Sequence, residues 1–311
     1  MILTITANPS VDISYTLDDL SIDSVNRTSI VKKDAGGKGV HVSYVLKLLG
    51  EKVRDTGFVG GKLGEYIEEV LNKKEIDTDF VKIKEETRNC IAIIHGENTT
   101  EILEKGPKIS EEEKREFLDK LNEITNSCKM ISISGSLPDG LDSSFYLEII
   151  KYAKENGIFI AVDTSQKVLK DVIEADIKPD LIKPNIHELE EVTQKRYFSN
   201  VNMVVNSLKE EPFKDIDYIV ASMGKDGGVF KIKDKYYLAK VPEVEAVNPV
   251  GSGDSTLAGA LSAISNDEKD EDIIKKSMNC GLLNALDEEI GHIDLDKFDE
   301  YYEKILVKEI K

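Results

Sequence analysis

Two periodicities divide this chain. The runs ILTITA (2–7), DTGFVG (55–60), KMISISG (129–135), IFIAVDTS (158–165), DLIKPN (180–185) and DYIVASMG (217–224) are short, apolar and rich in β-branched residues. That is the pattern of strands buried on both faces. Between them lie longer amphipathic stretches, GVHVSYVLKLLG (39–50), GEYIEEVLNKK (64–74) and SSFYLEIIKYAKENG (143–157), the first and last closing on Gly. Strands alternating with helices predict a parallel sheet covered on both faces. Two segments break the alternation. Residues 13–31, ISYTLDDLSIDSVNRTSIV, and residues 87–104, TRNCIAIIHGENTTEILE, alternate β-branched and polar residues without a helical period. They are expected to form a small antiparallel sheet that projects from the body as a lid or an oligomer contact. With no linker, low-complexity stretch or internal repeat, residues 1–311 read as a single α/β domain.

Charge narrows the partners. Asp and Glu number 59 against 41 Lys and Arg, a formal charge of −18. Such a surface repels nucleic acid and anionic lipid, so an anionic ligand needs basic residues gathered locally. No apolar run reaches membrane-span length, and the opening MILTITANPSVD lacks the basic and long apolar regions of a signal peptide. Cys90, Cys128 and Cys280 are far apart and in no C-x-x-C pair. They argue for a reducing, cytoplasmic compartment and against a disulfide or zinc framework.

Four stretches carry candidate chemistry. In VNPVGSGDSTLAGAL (247–261), Gly251 and Gly253 flank Ser252, Asp254 follows, and the run from Thr256 reads as a helix. Bare N–H groups at a helix start attract anions, and Asp254 there also reads as an N-cap. In DAGGKGVHVS (34–43), Gly36, Gly37, Lys38 and Gly39 lie between an extended segment and a helix. This is no Walker A loop, because Gly follows the Lys, yet it offers the same backbone donors and one cation. In IKPNIHELEEV (182–192), Asn185 and Glu188 share a helix face. They suit either a capping box or a Mg²⁺ held through its waters. In VASMGKDGGVF (220–230), Ser222, Gly224, Gly227 and Gly228 fit a hairpin turn or a loop beneath a nucleotide. His41 and His187 have no second His at ligand spacing, so a zinc site is not expected. No G-x-S-x-G elbow is present.

The order of the motifs says more than any one of them. NPSVD near the start, GGKG (36–39), SGSLPDG (134–140), KPNIHE (183–188), SMGKDG (222–227) and VGSGDS (250–255) together resemble the ribokinase-like sugar kinases, the phosphofructokinase B family. The resemblance spans nearly the whole chain. It implies a three-layer α/β/α body, a β-sheet lid that pairs with another copy's lid in a homodimer, and ATP-dependent phosphorylation of a sugar phosphate. TRNCIAI, TEILEKGP, LIKPNIHEL and NPVGSGDSTLAG look most like the branch acting on D-tagatose 6-phosphate, then the branch acting on fructose 1-phosphate. A non-catalytic sugar-phosphate-binding regulator is the alternative from another class.

Carried over by position, the resemblance makes Asp254 the base at the sugar's C1 hydroxyl, capping its helix as well. The N–H groups of Gly251, Ser252, Gly253 and Asp254 become the anion hole. Asp12, Gly37, Lys38, His41 and Ser136 would lie at the sugar, while Arg27 and Arg88, in the lid segments, would grip its phosphate. Lys183, Asn185, Ser222, Gly224 and Gly227 would line the ATP site, with Asn279 near the adenine. Asn185 and Glu188 would organise Mg²⁺. Two positions depart from the family: His41 and Tyr44 stand where an Asn and an Arg are usual, which puts the fine sugar contacts in question.

Overall fold

The computed structural model describes residues 1–96, 98–198 and 200–310. Its main sheet runs, from one edge, Leu306–Ile310, Lys235–Lys240, Gly228–Ile232, Tyr218–Ser222, Leu181–Ile182, Phe159–Asp163, Met130–Ser134, Ile2–Thr6, Val53–Gly60 and Asp77–Thr78, with Val81–Ile83 also on Val53–Gly60. Pairing is parallel from Tyr218–Ser222 onward and antiparallel among the first four strands. The strand read at 180–185 is shorter than expected, because Pro184 has no N–H to continue a ladder.

Strand Ile2–Thr6 explains why there are three layers. Its residues alternate across the sheet. Ile2 joins a core with Val40, Val42, Val45 and Leu46 of helix Lys38–Leu48 and with Leu257, Ala260 and Leu261 of helix Ser252–Ser265. Leu3 and Ile5 face the other way, onto Phe117 and Leu121 of helix Glu111–Ile124 and Phe145, Tyr146 and Ile149 of helix Ser143–Glu155. Each fully buried aliphatic or aromatic side chain contributes roughly 1.5–3 kcal/mol. The layers are therefore held by packing on both faces of one sheet. No helix among the described residues is long and apolar enough to cross a membrane.

The lid is a separate four-stranded sheet, ordered Ile30–Gly36, Ser10–Leu17, Arg88–His95, Asn98–Leu103. It is not wholly antiparallel as expected: the two inner strands run parallel, Ser10 opposite Arg88 and Asp12 opposite Cys90. Both inner strands follow parallel strands of the body, Ile2–Thr6 and Val81–Ile83, and so leave it in the same direction. Residues 18–29 are not strand either. There the Asn26 amide donates to the Ser21 carbonyl and accepts from the Ser21 N–H at 2.8 and 3.0 Å, a local closure that competes with a ladder. Glu97, inside the second lid segment, lies outside the described residues.

Beneath the first helix the sheet buries a carboxyl. Asp55 is fully buried and accepts from Thr6 Oγ1 at 3.2 Å and Ser43 Oγ at 3.1 Å. Burial pushes it up to about 7, and the hydroxyl bonds only partly offset this. The folded chain therefore keeps a proton that the unfolded chain releases near 3.8. That stabilisation is present at low pH and is lost as pH rises through about 7. Asp55→Asn, which has nothing to ionise, should gain on the parent as pH rises from 5 to 8. Paired thermal melts measure it, and a difference in Tm that does not change with pH would refute it.

Candidate active site

The predicted residues sit where the parallel strands end. In an open parallel sheet that edge is a crevice wherever strand order reverses; here the chain continues from Ile2–Thr6 to Val53–Gly60 on one side and later to Met130–Ser134 on the other. Asp12 follows the first of these strands, Ser136 the Met130–Ser134 strand, Lys183 the Leu181–Ile182 strand, and Gly224 the Tyr218–Ser222 strand.

The stretch VGSGDS closes a turn into helix Ser252–Ser265. The N-cap is Gly251 at φ 81°, and no side chain caps it. Asp254 is thus not the cap expected from sequence but the third residue of the helix. Gly251 is needed for two reasons: its positive φ disfavours a side chain, and a Cβ there would meet Ile290 Cγ2 at 2.7 Å. Asn284 fastens the turn from below. Its amide donates to the Val250 carbonyl at 2.8 Å, and its oxygen accepts from Gly291 N–H at 2.9 Å and Ser255 Oγ at 3.0 Å. Among the described residues the N–H groups of Gly251, Gly253 and Asp254 have no acceptor, whereas Ser252 N–H turns back to the Pro249 carbonyl at 3.3 Å. Three of the four expected anion-hole donors are open.

Opposite Asp254 lies Asp12 on the lid strand. Gly36 makes room for it, since a Cβ at Gly36 would fall 2.0 Å from the Asp12 carboxyl carbon. Ser10 Oγ donates to Asp12 Oδ1 at 2.7 Å. His41, one turn into helix Lys38–Leu48, stands between the two carboxylates: Nδ1 is 3.0 Å from Asp254 Oδ2 and Nε2 is 3.6 Å from Asp12 Oδ2. Burial pulls the imidazole down, but hydrogen bonds and charge from Asp12 and Asp254 more than offset this and raise it to about 10.

A second cluster holds the cations. Asp163, at the end of strand Phe159–Asp163, is fully buried; Lys38 Nζ lies 3.3 Å from one of its oxygens and Lys183 Nζ 3.3 Å from the other. Burial pushes the Asp163 carboxyl up, yet Lys183 and Lys38 more than offset this and hold it below its usual range. The Asp163 charge in turn raises Lys38 above its usual range against the opposing effect of burial. Lys183 Nζ would be 3.2 Å from a Cβ on Gly253, so this ammonium lies directly against the open amides. Asp163 was not singled out from sequence; the available signal was an Asp at the end of a buried strand, in AVDTS.

Asn185 and Glu188 form the capping box that their spacing also allowed. Asn185 Oδ1 accepts from the N–H groups of His187 and Glu188 at 2.9 Å, and Glu188 Oε2 accepts from Asn185 N–H at 2.8 Å. Glu188 Oε1 stays free of the cap, and burial raises this carboxyl. Among the described residues no group of three or more His, Cys, Asp or Glu is placed to hold a metal. Glu188 Oε1, left out of the cap, fits the outer shell of an ion bound by its waters and by a ligand's oxygens. Ser222 bridges to Asn185, and the hairpin turn at Gly224–Asp226 carries Gly224 and Gly227 beside it. Asn279 is fully buried, its amide donating to the Phe298 carbonyl at 2.9 Å and its Oδ1 without a donor among the described residues. Its neighbour Met278 reaches Gly228 of the hairpin, with Sδ 3.5 Å from a Cβ built there.

The two lid arginines are not brought together. Register puts Arg88 on the same lid face as Asp12. Its guanidinium donates to the carbonyls of Asn8 (3.0 and 3.2 Å) and Glu104 (2.9 Å), leaving two donors without an acceptor among the described residues. Asn8 Nδ2 reaches the Lys105 carbonyl at 2.9 Å and Ser136 Oγ at 3.4 Å, and its buried Oδ1 has no donor among the described residues. Arg27 is exposed in the 18–29 connection at the outer end of the lid.

This geometry has relatives. Residues 6–293 match the pfkB family carbohydrate kinases. A tagatose-6-phosphate kinase of Staphylococcus epidermidis is 45% identical over 310 residues, covering 100% of both chains. A Thermotoga maritima structure described as a possible 1-phosphofructokinase superposes with TM-score 0.88 at 25% identity, over 100% of this chain and 99% of that one. Phosphofructokinase-2 of Escherichia coli, in complex with potassium, gives 0.89 at 21% identity over 97% and 98%. The chain belongs to the PfkB family of carbohydrate kinases.

Proposed function

We propose that this chain transfers the γ-phosphoryl group of ATP to the C1 hydroxyl of D-tagatose 6-phosphate, giving D-tagatose 1,6-bisphosphate and ADP. The observation that carries the chemistry is a carboxylate, Asp254, in the first turn of a helix whose open amides lie against Lys183. Phosphoryl transfer asks little covalent chemistry of a protein; it asks for positioning and for donors where charge collects. Asp254 Oδ1, the oxygen not held by His41, takes the hydroxyl proton. The sugar oxygen bonds to the γ-phosphorus as the bond to the ADP oxygen breaks. The N–H groups of Gly253 and Asp254, with Lys183 and Lys38, hold the transferring oxygens. Mg²⁺, held with ATP and at its outer shell by Glu188, would neutralise phosphate charge.

Asp12, Gly37, Lys38 and Ser136 take the sugar, Arg88 and Arg27 its 6-phosphate, and Ser222, Gly224 and Gly227 the nucleotide. The sugar's identity is supported by the full-length Staphylococcus epidermidis relative. Fructose 1-phosphate is the second reading, favoured by the Thermotoga maritima likeness. Exposed Ile30, Ile94 and Ile102 on the lid support pairing with a second copy. Three free thiols suit the cytoplasm.

ADP release with Mg-ATP should give the highest kcat/KM on tagatose 6-phosphate among tagatose 6-phosphate, fructose 6-phosphate and fructose 1-phosphate. A ranking led by fructose 1-phosphate would move the substrate and leave the chemistry. Asp254→Asn should lower kcat by roughly 10²–10⁴ while calorimetry still detects sugar-phosphate binding. Unimpaired turnover would remove Asp254 from the mechanism.

A further inference from the structure

We infer that His41 is a positioning residue for the transfer: its doubly protonated ring ties the sugar-binding carboxylate of Asp12 to the base carboxylate of Asp254, so that one cation sets the geometry of both. This rests on Asp254 being the base. An ionised carboxylate only accepts hydrogen bonds, and a neutral imidazole donates from one nitrogen alone. With Asp254 Oδ2 at 3.0 Å from Nδ1 and Asp12 Oδ2 at 3.6 Å from Nε2, a neutral ring would turn a lone pair toward one carboxylate. Protonation at both nitrogens gives a short charge-assisted bond at Asp254 and an ion pair at Asp12.

The His41 side chain is 9% exposed, so water does little to screen these charges. Among the described residues, Asp12 and Asp254 are its ionic partners within 4 Å. On its own helix the ring faces Tyr44, centroids 6.4 Å apart, whose hydroxyl donates to Asp34 and whose ring lies under Lys74 Nζ at 4.3 Å. From the loop after helix Asp270–Ala285 the bare backbone of Gly291 closes the remaining side, a Cβ there falling 3.2 Å from His41 Cα. The ring thus sits in a slot whose charged walls are the two carboxylates.

Two consequences follow. Ser10 and His41 occupy one oxygen each of Asp12, which fixes its plane. At Asp254 the imidazole occupies Oδ2 and leaves Oδ1 as the proton acceptor. The family's usual Asn has no charge with which to hold two carboxylates in this way. In this chain the arrangement should persist through neutral pH and fail when the ring deprotonates, near pH 10.

The test is the pH dependence of kcat and kcat/KM for the parent, His41→Gln and His41→Asn, each checked by circular dichroism and by recovery of activity on return to neutral pH. The parent should lose activity reversibly near pH 10. His41→Gln should lower kcat roughly 10–100-fold, the scale of a misplaced reacting group. It should also lose the alkaline limb, because no imidazole remains to deprotonate. A folded His41→Gln or His41→Asn with parental kcat and an unmoved profile overturns the inference. If both variants fail to fold, the parent alone decides, and a profile without a reversible alkaline limb overturns it. Activity in Asp254→Asn would instead overturn the underlying assignment of the base.

Discussion

Alternation of buried charge is the constraint on which this site depends. The chain carries an excess of 18 negative charges, yet it must receive the phosphates of a nucleotide and a sugar. It does so with two buried sandwiches of opposite sign: Asp163 between Lys38 and Lys183, and His41 between Asp12 and Asp254. In each, the central group is buried and depends on both neighbours. Removing one partner of a buried ionic group usually costs more than the pair contributes, because a bare charge remains. The first places the Lys183 ammonium beside Gly253 of the glycine turn, and in the proposed mechanism the second aims Asp254 at the sugar hydroxyl.

The fold makes this possible by bringing distant segments to one edge. Asp163 ends one strand, Lys183 follows the next strand in the sheet, and Lys38 begins a helix packed on the same layer. Helices Lys38–Leu48 and Ser252–Ser265 lie against each other, which is why His41 meets Asp254 across 213 positions of sequence. Asn284 then locks the glycine turn from a third segment. The rigid part is the packed sheet; the lid carries Asp12 and Arg88 on one face and holds Arg27 apart at its outer end.

Much of this was legible in the chain. Strand and helix periods gave the layers, and the glycine motifs fell at strand ends, where a parallel sheet has its crevice. The misses share a cause. Asp254 read as an N-cap because Asp often caps, but the turn is closed by the backbone of Gly251, a choice set by contact with Ile290. Asp163 was not singled out, because only the fold brings two lysines, one of them 125 positions away, onto it. The parallel pair in the lid depends on both outgoing strands leaving the same end of the body, which local pattern does not encode. His41 looked like a departure from a sugar contact; in three dimensions it is the link between two carboxylates.

The account's central claim is that this link is a cation. The direct measurement is the ¹⁵N spectrum of the histidines in the folded protein at pH 8.5, with His41 assigned by its absence from the His41→Gln spectrum. Both nitrogens of His41 should carry protons there. A His41 ring with one bare nitrogen at that pH would contradict the account.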